Sequence, residues 1–170
     1  VLLARYIKSS KNIFGLDSAS RALSLARKRS DEKYSFIEWI NGDALETGLT
    51  SHQFDGLLMA YGLRNLSSYE DGFREAFRIL KVGGRAGILD FRSFQNNSIQ
   101  GLFQKIYLSF FVVPIASAFG LRREYSYIKK SLLNFPTGDE QIRMALSVGF
   151  KKAEYRIVGL GQMGILVLLA

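Results

Sequence analysis

The sequence predicts an α/β protein whose sheet is mostly parallel and closes in an antiparallel hairpin. Three observations carry this. Short apolar runs alternate with segments of helical periodicity between Asn12 and Phe91. Early runs end on Asp17 and on Asn41-Gly42-Asp43, and open α/β sheets bind ligands at the carboxyl ends of their strands. Two strand-like runs in the tail are separated only by Gly159-Leu160-Gly161. A connection that short joins antiparallel neighbours.

In chain order, residues 12–16 read as a strand ending at Asp17. Residues 18–29 read as a helix, with Ala22, Leu23, Leu25 and Ala26 apolar, Arg21, Arg27, Lys28 and Arg29 polar, and Ser18 as its cap. Residues 34–40 form the second expected strand and 54–60 the third. A helix over 69–80, a turn at Gly83-Gly84 and a strand over 85–91 follow. Residues 137–148 look helical, and Gly149 fits their stop. Residues 152–158 alternate, with Ala153, Tyr155 and Ile157 on one face. Residues 163–169 are almost wholly apolar and read as a buried strand. There is no internal repeat and no low-complexity linker, so a single domain over 1–170 is expected.

Composition narrows the chemistry. The chain has 170 residues, 48% of them hydrophobic, enough for a real core. It has no cysteine, which removes disulfides, thiolate metal sites and cysteine nucleophiles. Its one histidine, His52, sits in Thr50-Ser51-His52-Gln53 and reads as a surface loop residue, so no metal is expected. The net charge of +8 is uneven: residues 81–130 hold 8 basic and 2 acidic side chains. Such a region attracts nucleic acid or an anionic membrane surface, or merely aids solubility. Within it, residues 106–119 are uncharged and greasy, yet shorter than the roughly 20 residues a spanning helix needs, and Pro114 interrupts them. They are core, or the wall of a pocket for an apolar substrate.

Three places hold candidate chemistry. Asp17 ends a strand, where an acid accepts ribose hydroxyls of a nucleotide-like cofactor; NAD and S-adenosylmethionine domains both use this, and an ordinary turn aspartate looks the same. Gly42-Asp43-Ala44 lets backbone approach a flat ring while the carboxylate accepts from an exocyclic amine, which suits adenine. In isolation Asn41-Gly42-Asp43 is strong turn chemistry. Tyr61-Gly62-Leu63-Arg64-Asn65 offers a cation and an amide after a strand. Arg64 there suits a phenolate oxygen, and Asn65 suits a hydroxyl.

Gly15-Leu16-Asp17, Gly42-Asp43-Ala44, Phe54-Asp55 and Tyr61-Gly62-Leu63-Arg64-Asn65 occur in that order. Arg78-Ile79-Leu80-Lys81-Val82-Gly83-Gly84 and Leu89-Asp90-Phe91 follow. Together they closely resemble the ubiquinone/menaquinone biosynthesis C-methyltransferase family. The likeness continues through Val113-Pro114, Tyr125-Ser126-Tyr127-Ile128, Ser131, Phe135-Pro136, Met144 and Gly149-Phe150, and so covers essentially the whole chain. Residues 161–167 look most like its cyanobacterial and plastid branch, which acts on demethylphylloquinone-type naphthoquinols. The departures are Val82, where the family has proline, and Ala60, where members often use a hydroxyl toward the cofactor.

The resemblance implies a Rossmann-like class I methyltransferase fold and S-adenosyl-L-methionine as cofactor. It places Asp17, Asp43, Ala44, Ala60 and Tyr61 on the cofactor side. It places Arg64 and Asn65 at the headgroup of a prenylated naphthoquinol or benzoquinol. Residues 95–136 become a helical substrate-side insertion, with Phe110, Phe111, Tyr125 and Tyr127 against the acceptor. The basic excess then suits transient docking of a cytoplasmic or plastid protein on an anionic membrane. No nucleic acid is expected, and a homodimer is admitted as a partner without a residue singled out for it. The family's first strand and glycine-rich loop would lie upstream of Val1. Residues 1–11 would then end the following helix, and activity from these residues alone would be weak. Two other readings stand beside this one: a methyltransferase for another small molecule or nucleic acid, and a non-catalytic lipid or membrane module.

Overall fold

Residues 13–30, 34–93, 131–132, 134–159 and 161–170 are described by the computed structural model. They divide into two compact units, Val1–Leu49 and Thr50–Ala170. Residues 1–11 and most of 95–136, including 106–119, lie outside the described residues.

In the first unit, β1 (Phe14–Asp17) pairs in parallel with β2 (Glu38–Asn41), and Asp17 stands opposite Asn41. Between them runs α1 (Ser20–Arg29), which buries Leu23. Gly15 is required by packing, because a Cβ there would collide with the Trp39 ring. Ile13, Tyr34 and Ile37 form a small core that Phe36 and Trp39 pack against.

Two expectations change here. Ser18 does not cap the helix; the cap position is Ala19, with no side-chain cap bond. Instead Asp17 Oδ1 accepts the Ala19 N–H at 2.8 Å, an Asx-type bond that delays the helix start. Nor is 34–37 strand. The Tyr34 N–H donates to Ser30 O and that of Ile37 to Tyr34 O. Those local bonds consume the donors a ladder would use, and Tyr34 and Ile37 are buried with Ile13 in the small core.

The second unit is a four-stranded sheet ordered β3-β4-β6-β5. β3 (Phe54–Ala60) and β4 (Leu80–Phe91) are parallel, while β6 (Met163–Leu169) runs antiparallel to both β4 and β5 (Lys152–Val158). The C-terminal hairpin is as expected. α2 (Tyr69–Ile79) and α3 (Gly138–Ser147) bury one face around Phe73, Ala145, Leu166 and Leu168. Phe77 of α2 makes an edge-to-face pair at 5.2 Å with Phe150, three residues beyond the end of α3. Thr137 and Glu140 make a reciprocal capping box at the start of α3, and Gly149 ends it at φ +122°.

β4 is longer than expected. It begins at Leu80, directly after α2, and the Gly83-Gly84 turn becomes an irregularity inside it. Phe54 pairs with Leu80, but Gly56 already pairs with Arg85. Gly83 takes φ +81°, and a Cβ on Gly84 would stand 2.8 Å from the carbonyl oxygen of Lys81. Ile157 also departs from its expected face mates: Ala153 and Tyr155 pack on the core while Ile157 is 53% exposed. The Tyr155 ring lies over Gly164, the residue that pairs with Ile157, and so takes the space on that face. No described helix is long and apolar enough to cross a membrane.

Candidate functional site

Parallel pairing brings two of the expected cofactor residues to one edge of the first unit. Asp17 closes β1, and Asp43 follows β2 by two residues, past Asn41, the partner of Asp17. Both carboxylates are exposed, and each spends one oxygen on local backbone. Asp17 Oδ1 holds the Ala19 N–H, and Asp43 Oδ1 holds the Leu45 N–H at 2.9 Å. These bonds fix both side chains while the carboxyl groups face solvent. Asn41, read from sequence as turn chemistry alone, braces the edge. Its Nδ2 donates to the carbonyls of Asp17 and Ser18 at 3.2 and 3.1 Å, and the Gly42 N–H also donates to Asp17 O. Ala44 lies half-buried in the following turn. Two oriented acceptors suit the hydroxyls and amine of a nucleoside.

The loop after β3 belongs to the second unit. Ala60 ends the strand. Tyr61 follows at φ +57°, an uncommon conformation for an aromatic residue, anchored by its N–H to Leu89 O. Strain of this kind clusters at binding and catalytic sites. The Tyr61 ring is 40% exposed, packs on Phe91 at 5.5 Å, and its hydroxyl donates to Met163 Sδ at 3.2 Å. A 3-10 turn over Leu63–Asn65 then folds the loop back.

Arg64 is not an open cation. Its side chain is 9% exposed and paired with Asp90, whose side chain is 5% exposed, at 2.7 Å. Nη1 also donates to Tyr61 O at 2.9 Å, and the Arg64 backbone N–H donates to Asp90 Oδ2 at 3.1 Å. The guanidinium carbon lies 5.6 Å from the Tyr61 ring centre and 5.3 Å from that of Phe91. Asn65 is exposed, with Nδ2 donating to Tyr61 O at 3.1 Å. Burial, then the charge of Asp90, pushes the Tyr69 hydroxyl pKa upward. Burial likewise raises that of Tyr155, with Arg92 opposing and Asp90 adding to the rise.

Asp90 and Met163 were not among the expected site residues. An aspartate inside an apolar strand was the available signal for the first. Phe110, Phe111, Tyr125 and Tyr127 lie outside the described residues. His52 is exposed, as expected, with Nδ1 3.0 Å from Leu80 O. Among the described residues, no cluster of three or more His, Cys, Asp or Glu side chains could hold a metal.

The sequence profile of the ubiE/COQ5 methyltransferase family matches residues 1–167. The chain belongs to that family. It is 40% identical over 167 residues to a 2-phytyl-1,4-naphthoquinone methyltransferase of Nostoc punctiforme, covering 97% of this chain and 72% of that relative. A chloroplastic 2-phytyl-1,4-beta-naphthoquinone methyltransferase of Arabidopsis thaliana is 39% identical over 171 residues, covering 98% of this chain and 65% of that one. Among solved structures, a SAM-dependent methyltransferase from Aquifex aeolicus superposes with a TM-score of 0.68 at 12% identity, over 99% of this chain and 73% of its own. A SAM-dependent methyltransferase from Thermotoga maritima gives 0.62 at 17%, over 91% and 72%. The fold is that of the class I methyltransferases, and this ubiE/COQ5 family member is a methyltransferase whose methyl donor is S-adenosyl-L-methionine.

Proposed function

We propose that this methyltransferase C-methylates the ring of a prenylated naphthoquinol of the 2-phytyl-1,4 type. The observation that carries this is identity of 38–41% across nearly the whole chain to several relatives named for that naphthoquinone. Bound S-adenosyl-L-methionine supplies an electrophilic methyl group on a sulfonium. The acceptor must then be a nucleophilic carbon. A quinol with an ionised hydroxyl offers one, because the oxygen pushes charge onto the adjacent ring carbon, and a quinone does not. Transfer to that carbon would form its new C–C bond as the methyl–sulfur bond is given up, and the ring hydrogen would leave as a proton.

Asp17 accepts from the ribose, Asp43 with Ala44 receives the adenine, and Ala60 and Tyr61 line the donor side. Arg64 and Asn65 belong to the quinol headgroup, where positioning and stabilisation of developing charge supply much of the rate. Phe110, Phe111, Tyr125 and Tyr127 are assigned to the acceptor and its tail. The basic excess of residues 81–130 supports docking on an anionic membrane, from which a lipid substrate is drawn.

The test is methyl transfer to 2-phytyl-1,4-naphthoquinone with and without a chemical reductant. Product is expected only under reduction. Equal product from the oxidised ring, or none from either while an oligonucleotide is methylated, would overturn the reading.

A further inference from the structure

We propose that Asp90 is a positioning residue for the acceptor ring, acting through Arg64; this rests on the reading that Arg64 serves the quinol headgroup. The carboxylate is buried at the end of β4 and gathers three donors. Oδ1 accepts Arg64 Nη1 at 2.7 Å and the Phe91 N–H at 2.8 Å, and Oδ2 accepts the Arg64 N–H at 3.1 Å. One side chain therefore holds both the backbone and the guanidinium of Arg64. The residues that flank the loop are tied in as well, because Arg64 Nη1 and Asn65 Nδ2 both donate to Tyr61 O.

A buried ion pair is a weak device for stability, since well-packed apolar groups do as well or better. What it does supply is one orientation. Arg64 Nε is buried with no protein partner among the described residues, so this arrangement is not the one that best satisfies the arginine for its own sake. It is the one that aims the guanidinium along Tyr61 and Phe91, whose rings lie 5.6 and 5.3 Å away. Among the described residues, the other groups whose charge bears on Asp90 or its neighbours include Tyr69 of α2, Tyr155 of β5 and Arg92. Burial and the charge of Asp90 raise the pKa of both tyrosines, and Arg64 bonds directly to the carboxylate. Asp90 thus both aims Arg64 and tempers its charge. A fixed guanidinium can meet charge forming on an acceptor oxygen without reorganising at the moment of transfer.

The experiment compares wild type, Asp90→Asn, Asp90→Glu, Arg64→Ala and the Asp90→Asn/Arg64→Ala double variant. Each is assayed on the reduced 2-phytyl naphthoquinol, with S-adenosyl-L-methionine affinity by calorimetry and melting by circular dichroism. Asp90→Asn is expected to lower kcat at least tenfold, with KM for the quinol and cofactor affinity within about twofold. Asp90→Glu, which keeps the charge but shifts it, should fall between Asn and wild type. The double variant should be no slower than Arg64→Ala alone, because Asp90 acts through that residue. If Asp90→Asn does not fold, the Glu variant carries the test, with lowered kcat at unchanged cofactor affinity. Wild-type kcat in Asp90→Glu, a loss confined to melting temperature, or additive losses in the double variant would overturn the proposal. Silence of the wild-type enzyme on the quinol would instead overturn the functional reading beneath it, and the positioning role with it.

Discussion

Asp17 and Asp90 are both aspartates at the ends of parallel strands, yet only the first was legible in the sequence. Asp17 precedes a helix, so its position at a strand's carboxyl end can be read locally. The partner of Asp90 is Arg64, 26 residues away, and no local pattern joins them. For the same reason Arg64 was read simply as a cation in the loop after a strand: its place in the loop was visible, its burial was not. The role given to Asp17 predicts that Asp17→Ala weakens S-adenosyl-L-methionine binding more than tenfold by calorimetry, since bonds to a charged group are worth about 1.5–3 kcal/mol each. Unchanged affinity would remove Asp17 from the cofactor side. On the acceptor side, changing Phe110 or Phe111 to Ser should raise KM for the long-tailed quinol more than for a tailless analogue. Equal losses on both, in variants that melt like wild type, would make that stretch packing.

Among the elements, β3, β5 and β6 have the bounds their apolar runs imply, because in each the burial pattern and the ladder coincide. β2 and β4 do not. Around Tyr34 the buried side chains look like strand while the backbone closes a turn, and at Gly83-Gly84 turn chemistry sits inside a ladder. Those glycines give the sharpest element-scale test. Gly84→Ala sets a Cβ against the carbonyl of Lys81 at 2.8 Å, where no side chain can move aside. It should cost about 1–3 kcal/mol by urea denaturation, the range for overpacking a buried site. A wild-type midpoint would mean that the strand absorbs the methyl group. At α3, the backbone N–H and hydroxyl of Thr137 hold the Glu140 carboxyl below its ordinary value of 4.5. The folded pKa is the lower one, so this stabilisation is present above pH 4.5 and is lost as pH falls through the folded value. Thr137→Ala should cost about 0.5–2 kcal/mol at neutral pH. The deficit should shrink in acid, as a series of denaturation curves would reveal.

At the scale of the whole molecule, order along the chain carried more than any single motif. Gly-Leu-Asp, Gly-Asp-Ala, Gly-Leu-Arg-Asn and Leu-Asp-Phe are each short enough to arise by chance. Their succession at strand ends is what an α/β methyltransferase requires, and both the fold and the family membership agree with it. Composition alone left nucleic acid, an anionic membrane surface and mere solubility all open for a +8 chain. The most direct measurement is the position of the transferred methyl group. The enzyme is given S-adenosyl-L-methionine carrying a deuterated methyl and the reduced 2-phytyl-1,4-naphthoquinone, and the product is mapped by NMR. The account predicts the label on the ring carbon beside the phytyl-bearing one, with loss of that carbon's hydrogen. A label on oxygen, or a ring hydrogen left in place, would contradict it.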